Sequence, residues 1–156
     1  MTRKRFAGLM AGVFFSLLVA GAALMAAAGD TARATQHPAN QSGVIGRINF
    51  TDTGSAIIVT GTATGLAPFT SGRYVTLVYD RGSVPGGPNN CEPTTPLPNM
   101  FVGFWTSDAA GNGTLHQVAQ PAPLGTFDTV SIRDQTINGG FGPTAVVACG
   151  EVALNP

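Results

Sequence analysis

The chain has 156 residues, of which only 10% are charged, with 21 glycines, 11 prolines and a formal net charge of zero. This length accommodates one globular domain with a targeting segment or a tail. From Thr35 onward four arginines (Arg47, Arg73, Arg81, Arg133) face seven acids (Asp52, Asp80, Glu92, Asp108, Asp128, Asp134, Glu151), and this mildly acidic balance excludes nucleic-acid binding as a main function, because polyanion affinity needs several phosphate contacts.

The N-terminus opens with Arg3, Lys4 and Arg5, followed by 24 uncharged residues, 6–29. A basic start before an apolar run is the pattern of a secretory signal. Two small-residue cleavage patterns follow, Ala26-Ala27-Ala28 and Ala32-Arg33-Ala34. The run is also long enough to span a bilayer of ~30 Å, although much of its second half is Ala and Gly, which favours cleavage. Residues 1–34 are therefore expected to be a signal peptide or an N-terminal membrane anchor carried by residues 6–29. Either one keeps the positive end inside and places the rest outside the cytoplasm, secreted or extracytoplasmic. Residues 30–41 read as polar, with 35–42 as the linker proper and 43–156 as the domain.

After Gln41 no stretch carries three turns of helical apolar periodicity. Short runs of Val, Ile, Thr and aromatics recur instead between Gly/Pro/Asn/Asp clusters, the all-β pattern. Strands are expected at 44–51, 55–62, 73–79, 101–107, 114–118, 127–133 and 144–154, the last long enough to bend or split at Gly150. In the first, Val44, Ile48 and Phe50 oppose Ile45, Arg47 and Asn49. In the third, Val75, Leu77 and Tyr79 oppose Tyr74, Thr76 and Val78. Such alternation implies one buried and one wet face, hence antiparallel sheets. Asp52-Thr53-Gly54 fits a tight hairpin turn and residues 108–113 a longer one. Seven or eight antiparallel strands in this length suit a β-sandwich.

Residues 81–100 include five prolines and three glycines and form no regular element. Irregular loops on a rigid scaffold are where recognition is placed, so this loop is the expected contact surface, with Arg81, Pro85, Asn89, Glu92, Pro96 and Met100 as its candidate residues. It also holds Cys91. Cys91 and Cys149 are the only cysteines, and in an oxidising compartment a disulfide between them is the default reading. Such a bridge closes a loop of 59 residues counting both ends, worth ~4 kcal/mol on a chain-entropy estimate.

Taken in order, several motifs resemble the copper/zinc superoxide dismutase superfamily over roughly residues 43–154. These are the Gly-Val-x-Gly-x-Ile-x-Phe opening strand, Thr64-Gly65-Leu66, the Cys in a long loop after the third strand, Phe101-Val102-Gly103 leading to the turn at 107–113, and the close Ala148-Cys149-Gly150-Glu151-Val152. The resemblance implies an eight-stranded Greek-key sandwich with Cys91 tied to Cys149. It does not extend to the chemistry. Active members hold copper with a His-x-His pair where this chain has Thr76-Leu77-Val78. A zinc-binding His-Val-Gly-Asp corresponds to Phe101-Val102-Gly103-Phe104, and the guiding arginine aligns with Val146. A shared copper–zinc pair needs six His and an Asp, whereas beyond the leader this chain has only His37 and His116. No catalytic residue, metal ligand or cofactor is therefore assigned.

Other candidate chemistry has a plainer alternative in each case. Ser107, Asp108 and His116 could approach as a hydrolytic group, yet no Gly-x-Ser-x-Gly turn is present and a hairpin histidine suffices. Residues 108–113 resemble a calcium loop with a single carboxylate, too few for a hard cation. Met100 and His116 could offer soft ligands to copper(I), and Trp105, Tyr74 and Tyr79 an aromatic platform, for which core packing is the alternative. Asn49 and Asn112 begin glycosylation sequons. The resulting expectation is an exported, non-catalytic superoxide dismutase-like domain with a binding or structural role toward an extracellular or envelope partner. Its alternatives are a metal-binding enzyme whose site a partner completes, and a chordin-type interaction domain.

Overall fold

In a computed structural model, which describes residues 29–80, 101–119 and 123–155, the alternation of the opening strand is realised. Val44, Ile48 and Phe50 are buried while Ile45, Arg47 and Asn49 are exposed. The chain forms strands β1 (Thr31–Pro38), β2 (Ile45–Asp52), β3 (Ile57–Thr64), β4 (Ser71–Tyr79), β5 (Phe101–Ser107), β6 (Gly113–Ala119), β7 (Thr129–Asp134) and β8 (Val146–Asn155). Every pairing is antiparallel, and the strands close into one barrel in the order β1-β2-β3-β6-β5-β4-β7-β8. The all-β antiparallel expectation holds. Where two facing sheets were expected, the hydrogen bonding forms a single ring, joined between β5 and β6 by only Thr106–Thr114 and Ser107–Gly113.

β1 corrects the linker reading. Ala32, Ala34 and Gln36 turn inward and are each 1% exposed, while Arg33, Thr35 and His37 face solvent. Small inward side chains make a faint apolar alternation, which is why the stretch reads as polar. β1 pairs with β2 from Thr31–Thr51 to Gln36–Gly46 and with β8 from Thr31–Asn155 to Pro38–Ala148. It therefore covers two edges that would otherwise present unpaired backbone groups. Gly29 N–H to Asp52 O (2.7 Å) and Asp52 N–H to Asp30 O (2.9 Å) extend the ladder, so residues 29–34, expected as part of the leader, belong to the barrel. Residues 1–28 lie outside the described ones. β8 runs unbroken through Gly150, whose role is close approach. A Cβ there would sit 2.1 Å from Thr35 O.

The barrel is filled by side chains. Trp105, Phe50, Ile48, Val59, Val102, Val78, Val130 and Ile132 are all fully buried, each contributing ~1.5–3 kcal/mol where large and apolar. Trp105 is seated against glycines, since a Cβ at Gly61 would lie 2.7 Å from its Cη2. Its Nε1–H donates to Thr76 Oγ1 at 2.7 Å, and Phe127 meets Phe50 edge-on at 5.3 Å. The Asp52 turn forms as expected, with Gly54 N–H donating to Asp52 Oδ1 (2.7 Å) and Gly54 at φ +83°. The chain then crosses from β3 past β6 and β5 to β4. That crossover is pinned to the β5–β6 turn by Phe69 N–H to Asp108 O (3.1 Å) and Thr70 N–H to Ser107 Oγ (2.9 Å).

Two strands depart from the one-wet-face expectation. In β4, inward Tyr74, Thr76 and Val78 are buried, but outward Val75 and Tyr79 are buried too, and every residue of β7 is buried. Tyr79 packs with Ala39, Val146 and Cys149, so segments from both ends of the domain cover this wall. β5 carries a bulge. Thr76 pairs with Gly103 and Leu77 with Phe101, leaving Val102 extra, with Gly103 at φ +152°. Simple alternation puts Phe101 with Trp105 and Val102 with Phe104. The bulge instead buries Val102 and Trp105 and turns Phe101 and Phe104 out together.

Candidate binding surfaces

The residues with catalytic potential are held apart or already engaged. Ser107 Oγ donates to Ala67 O at 2.6 Å and accepts from Thr70 N–H. Asp108 Oδ1 accepts from the N–H groups of Ala110 and Asn112, both at 2.8 Å, and Oδ2 accepts from Asn112 Nδ2 at 2.8 Å. The side-chain and backbone donors of Asn112 hold the Asp108 carboxyl below its ordinary range, as suits a turn-forming carboxylate. Ser107 pairs with Gly113, so His116, exposed, stands three residues farther along β6, roughly 10 Å away. These three do not assemble into a hydrolytic group.

The donor set does not fit a copper–zinc pair. His37 lies on β1 and His116 on β6 with β2 and β3 between them, roughly 14 Å across the sheet at strand spacing. At the positions that the resemblance aligns with metal ligands, Thr76 is spent on Trp105, Val78 is core, and the rings of Phe101 and Phe104 meet at a tilt, 4.8 Å between centroids. Among the described residues no three His, Cys, Asp or Glu side chains converge. The aromatic platform is also overturned, because Trp105, Tyr74 and Tyr79 are at most 4% exposed. Cys149 is buried, and no described cysteine has a free thiol. Cys91 and the contact-loop candidates Arg81, Pro85, Asn89, Glu92, Pro96 and Met100 lie outside the described residues.

An apolar groove of about 340 Å³ lies on the outer face of β4 and β5, lined by Val75, Leu77, Phe101, Phe104, Gln135, Gly139, Gly140 and Phe141. Phe101 is 42% exposed, Phe104 48% and Phe141 72%. The bulge at Gly103 supplies the first two. Phe141 comes from the 135–142 turn, which buried polar contacts fix. Arg133, 2% exposed, donates from Nη1 to Gly140 O (3.3 Å) and Gly142 O (3.2 Å), from Nε to Ser131 Oγ (3.0 Å), and stands over the Tyr79 ring. Asp134 binds Arg73 through Nε (3.1 Å) and Nη2 (2.6 Å) and accepts from Thr136 N–H and Oγ1–H. Burial pushes the Asp134 carboxyl up, but the bonds from Arg73 and Thr136 outweigh it and hold the group below its ordinary value.

Phe141, Arg133 and Gln135 were invisible as site residues in the sequence. A lone Phe in a glycine-rich turn carries no periodicity, and a buried arginine within a strand reads as an ordinary wet position. The groove also borders Phe101, where the described chain resumes after the Pro-rich stretch 81–100. No protein-family model matches this chain, and no curated protein matches it.

Proposed function

We propose that this chain is an exported, non-catalytic binding domain of superoxide dismutase-like Greek-key fold, recognising a partner polypeptide through the apolar groove on β4 and β5. The groove carries the reading. Three partly exposed phenylalanines are held in one place by a bulge and an anchored turn, and exposed aromatics in a fixed setting are the usual anchors of protein recognition. The Greek-key reading is supported by the strand order, in which the β3–β4 and β6–β7 connections each pass over two intervening strands. The Cys91–Cys149 bridge is supported by the buried position of Cys149 beside Tyr79 and Ala39. It would tie the loop expected to make contact to the same side of the barrel as the groove. Export is supported by the basic-then-apolar start.

The test is capture from envelope fractions with the full exported chain and a Phe104→Ser/Phe141→Ser variant that keeps its Tm. A partner held by the first and lost by the second supports the reading. Equal capture by both defeats it.

A further inference from the structure

On the side of the barrel away from the phenylalanines, the register of β1, β2, β3 and β6 arranges outward side chains in rows. Arg33, Asn49, Thr60 and His116 form one row. Thr35, Arg47, Thr62 and Thr114 form the next, continued on β5 by Thr106, whose Oγ1 lies 3.1 Å from that of Thr114. His37, Ile45 and Thr64 follow. Between these last two rows runs an open groove of about 530 Å³, walled by Thr35, Arg47 and Thr62 on one side and His37, Ile45 and Thr64 on the other. Its floor is the backbone at Gln36, Gly46 and Ala63, of which Gln36 and Ala63 have side chains buried on the inner face.

The charge on this surface is mainly basic. Arg33 is paired with Asn49 and Thr35 with Arg47, so the two guanidiniums are diagonal cross-strand neighbours, within reach of each other for long side chains. Neither has a hydrogen-bond or ion-pair partner among the described residues. On β1, β2, β3 and β6 the three rows hold no carboxylate. Glu151 continues the second row on β8, opposite Thr35 by the Ala34–Val152 register, and is engaged in contacts of its own, and Asp52, at the far end of β2, is turned into its own hairpin. Adjacent like charges repel, and an anion placed between them reverses the sign of that interaction. Arginine presents its donors as a fork matched to a carboxylate. The threonines add a bank of hydroxyls that both donate and accept, and Ile45, 51% exposed, adds an apolar wall.

We propose that this groove binds an acidic saccharide, with the sugar carboxylate on Arg47 under the added pull of Arg33, the sugar hydroxyls on Thr35, Thr62 and Thr64, and a ring face against Ile45. Two arginines are too few for a nucleic-acid backbone but sufficient for single carboxylates on a hydroxyl-rich ligand. The assignment is independent of the apolar groove, which lies across the barrel.

The experiment is NMR titration of the folded domain with trigalacturonate, with its methyl ester and inorganic phosphate as separate arms. Trigalacturonate should shift amides of β1, β2 and β3 and weaken as salt rises, while the neutral ester binds far less. Arg47→Gln should weaken binding about tenfold, the low end for a charge-assisted contact at an exposed site. Phe104→Ser should leave it unchanged. Equal binding of the ester, indifference to Arg47→Gln, shifts confined to β4 and β5, or no shift at about 10 mM ligand (a ΔG weaker than ~3 kcal/mol) would each overturn the proposal. Phosphate binding as tightly as trigalacturonate would also overturn it, as the mark of a bare anion site.

Discussion

Replacing Thr76 by Val isolates the one polar contact within the barrel core that the indole makes. Thr76 and Trp105 are both 0% exposed, and their bond is 2.7 Å long. Val nearly conserves the volume and β-branching of Thr, so no cavity opens and strand preference is kept. What changes is the indole N–H, which loses its acceptor and is too deep to reach water. Leaving a buried donor unsatisfied costs ~1–3 kcal/mol; at about 2 kcal/mol, a domain of this size should lose roughly 8 °C in Tm. Val75 and Leu77 flank the site on the outer face, so the apolar groove keeps its shape. The assay is urea denaturation followed by far-UV circular dichroism, which reads all four proteins of the cycle alike because Trp105 is the only tryptophan, together with Trp105→Phe and the double variant. The coupling energy should be about 1 kcal/mol or more, because Phe has no N–H to strand. A Thr76→Val protein within 0.5 kcal/mol of the parent, against the ~1–3 expected, would refute the assignment of a satisfied, water-free indole.

Gly103→Ala combines an unfavourable φ of +152° with a Cβ 2.6 Å from Leu115 Cδ1 and 3.0 Å from Gln117 Cβ, so it should cost ~2–4 kcal/mol in chemical denaturation; a neutral result would contradict the bulge. Asp134 has a folded pKa below its unfolded value, so its contribution is complete above about pH 5 and is lost as pH falls through the folded pKa. Asp134→Asn should lower stability at neutral pH by ~1–3 kcal/mol and flatten the acid limb of the stability curve, and an unchanged limb would count against it. If a signal is cut from this chain, as the proposed export requires, cutting after Ala34 would remove half of β1, whereas cutting after Ala28 leaves the whole ladder. Intact-mass measurement should therefore find Gly29 as the first residue, and a Thr35 start would contradict the closing role of β1.

What the sequence made legible was local. Asp52, Thr53 and Gly54, and Asp108 through Gly113, announce their turns because the side chains that bend the backbone are the turn residues themselves. β2 was readable because Ile48 and Phe50 are large and alternate cleanly. β1 was not, because its inward residues Ala32 and Ala34 carry too little apolar surface to mark a face. β4 looked half-wet because its outer cover, Ala39 and Val146, comes from far away in the chain. The pairing of Phe101 with Phe104 depended on a one-residue bulge that inverts the alternation beyond it. The loop at 81–100 was recognisable from its prolines, but composition alone does not place its residues. The groove that borders it was assembled from β4, β5 and the 135–142 turn, and only the fold brings those together.

The central claim is that this barrel acts by binding at its surface and not by redox chemistry at a metal centre. The most direct test is elemental analysis of the purified chain after loading with copper and zinc and dialysis, paired with a superoxide dismutation assay on the same sample. The account expects no stoichiometric metal and no dismutation above the free-ion background. One tightly held copper per chain, with dismutation that survives dialysis, would contradict it.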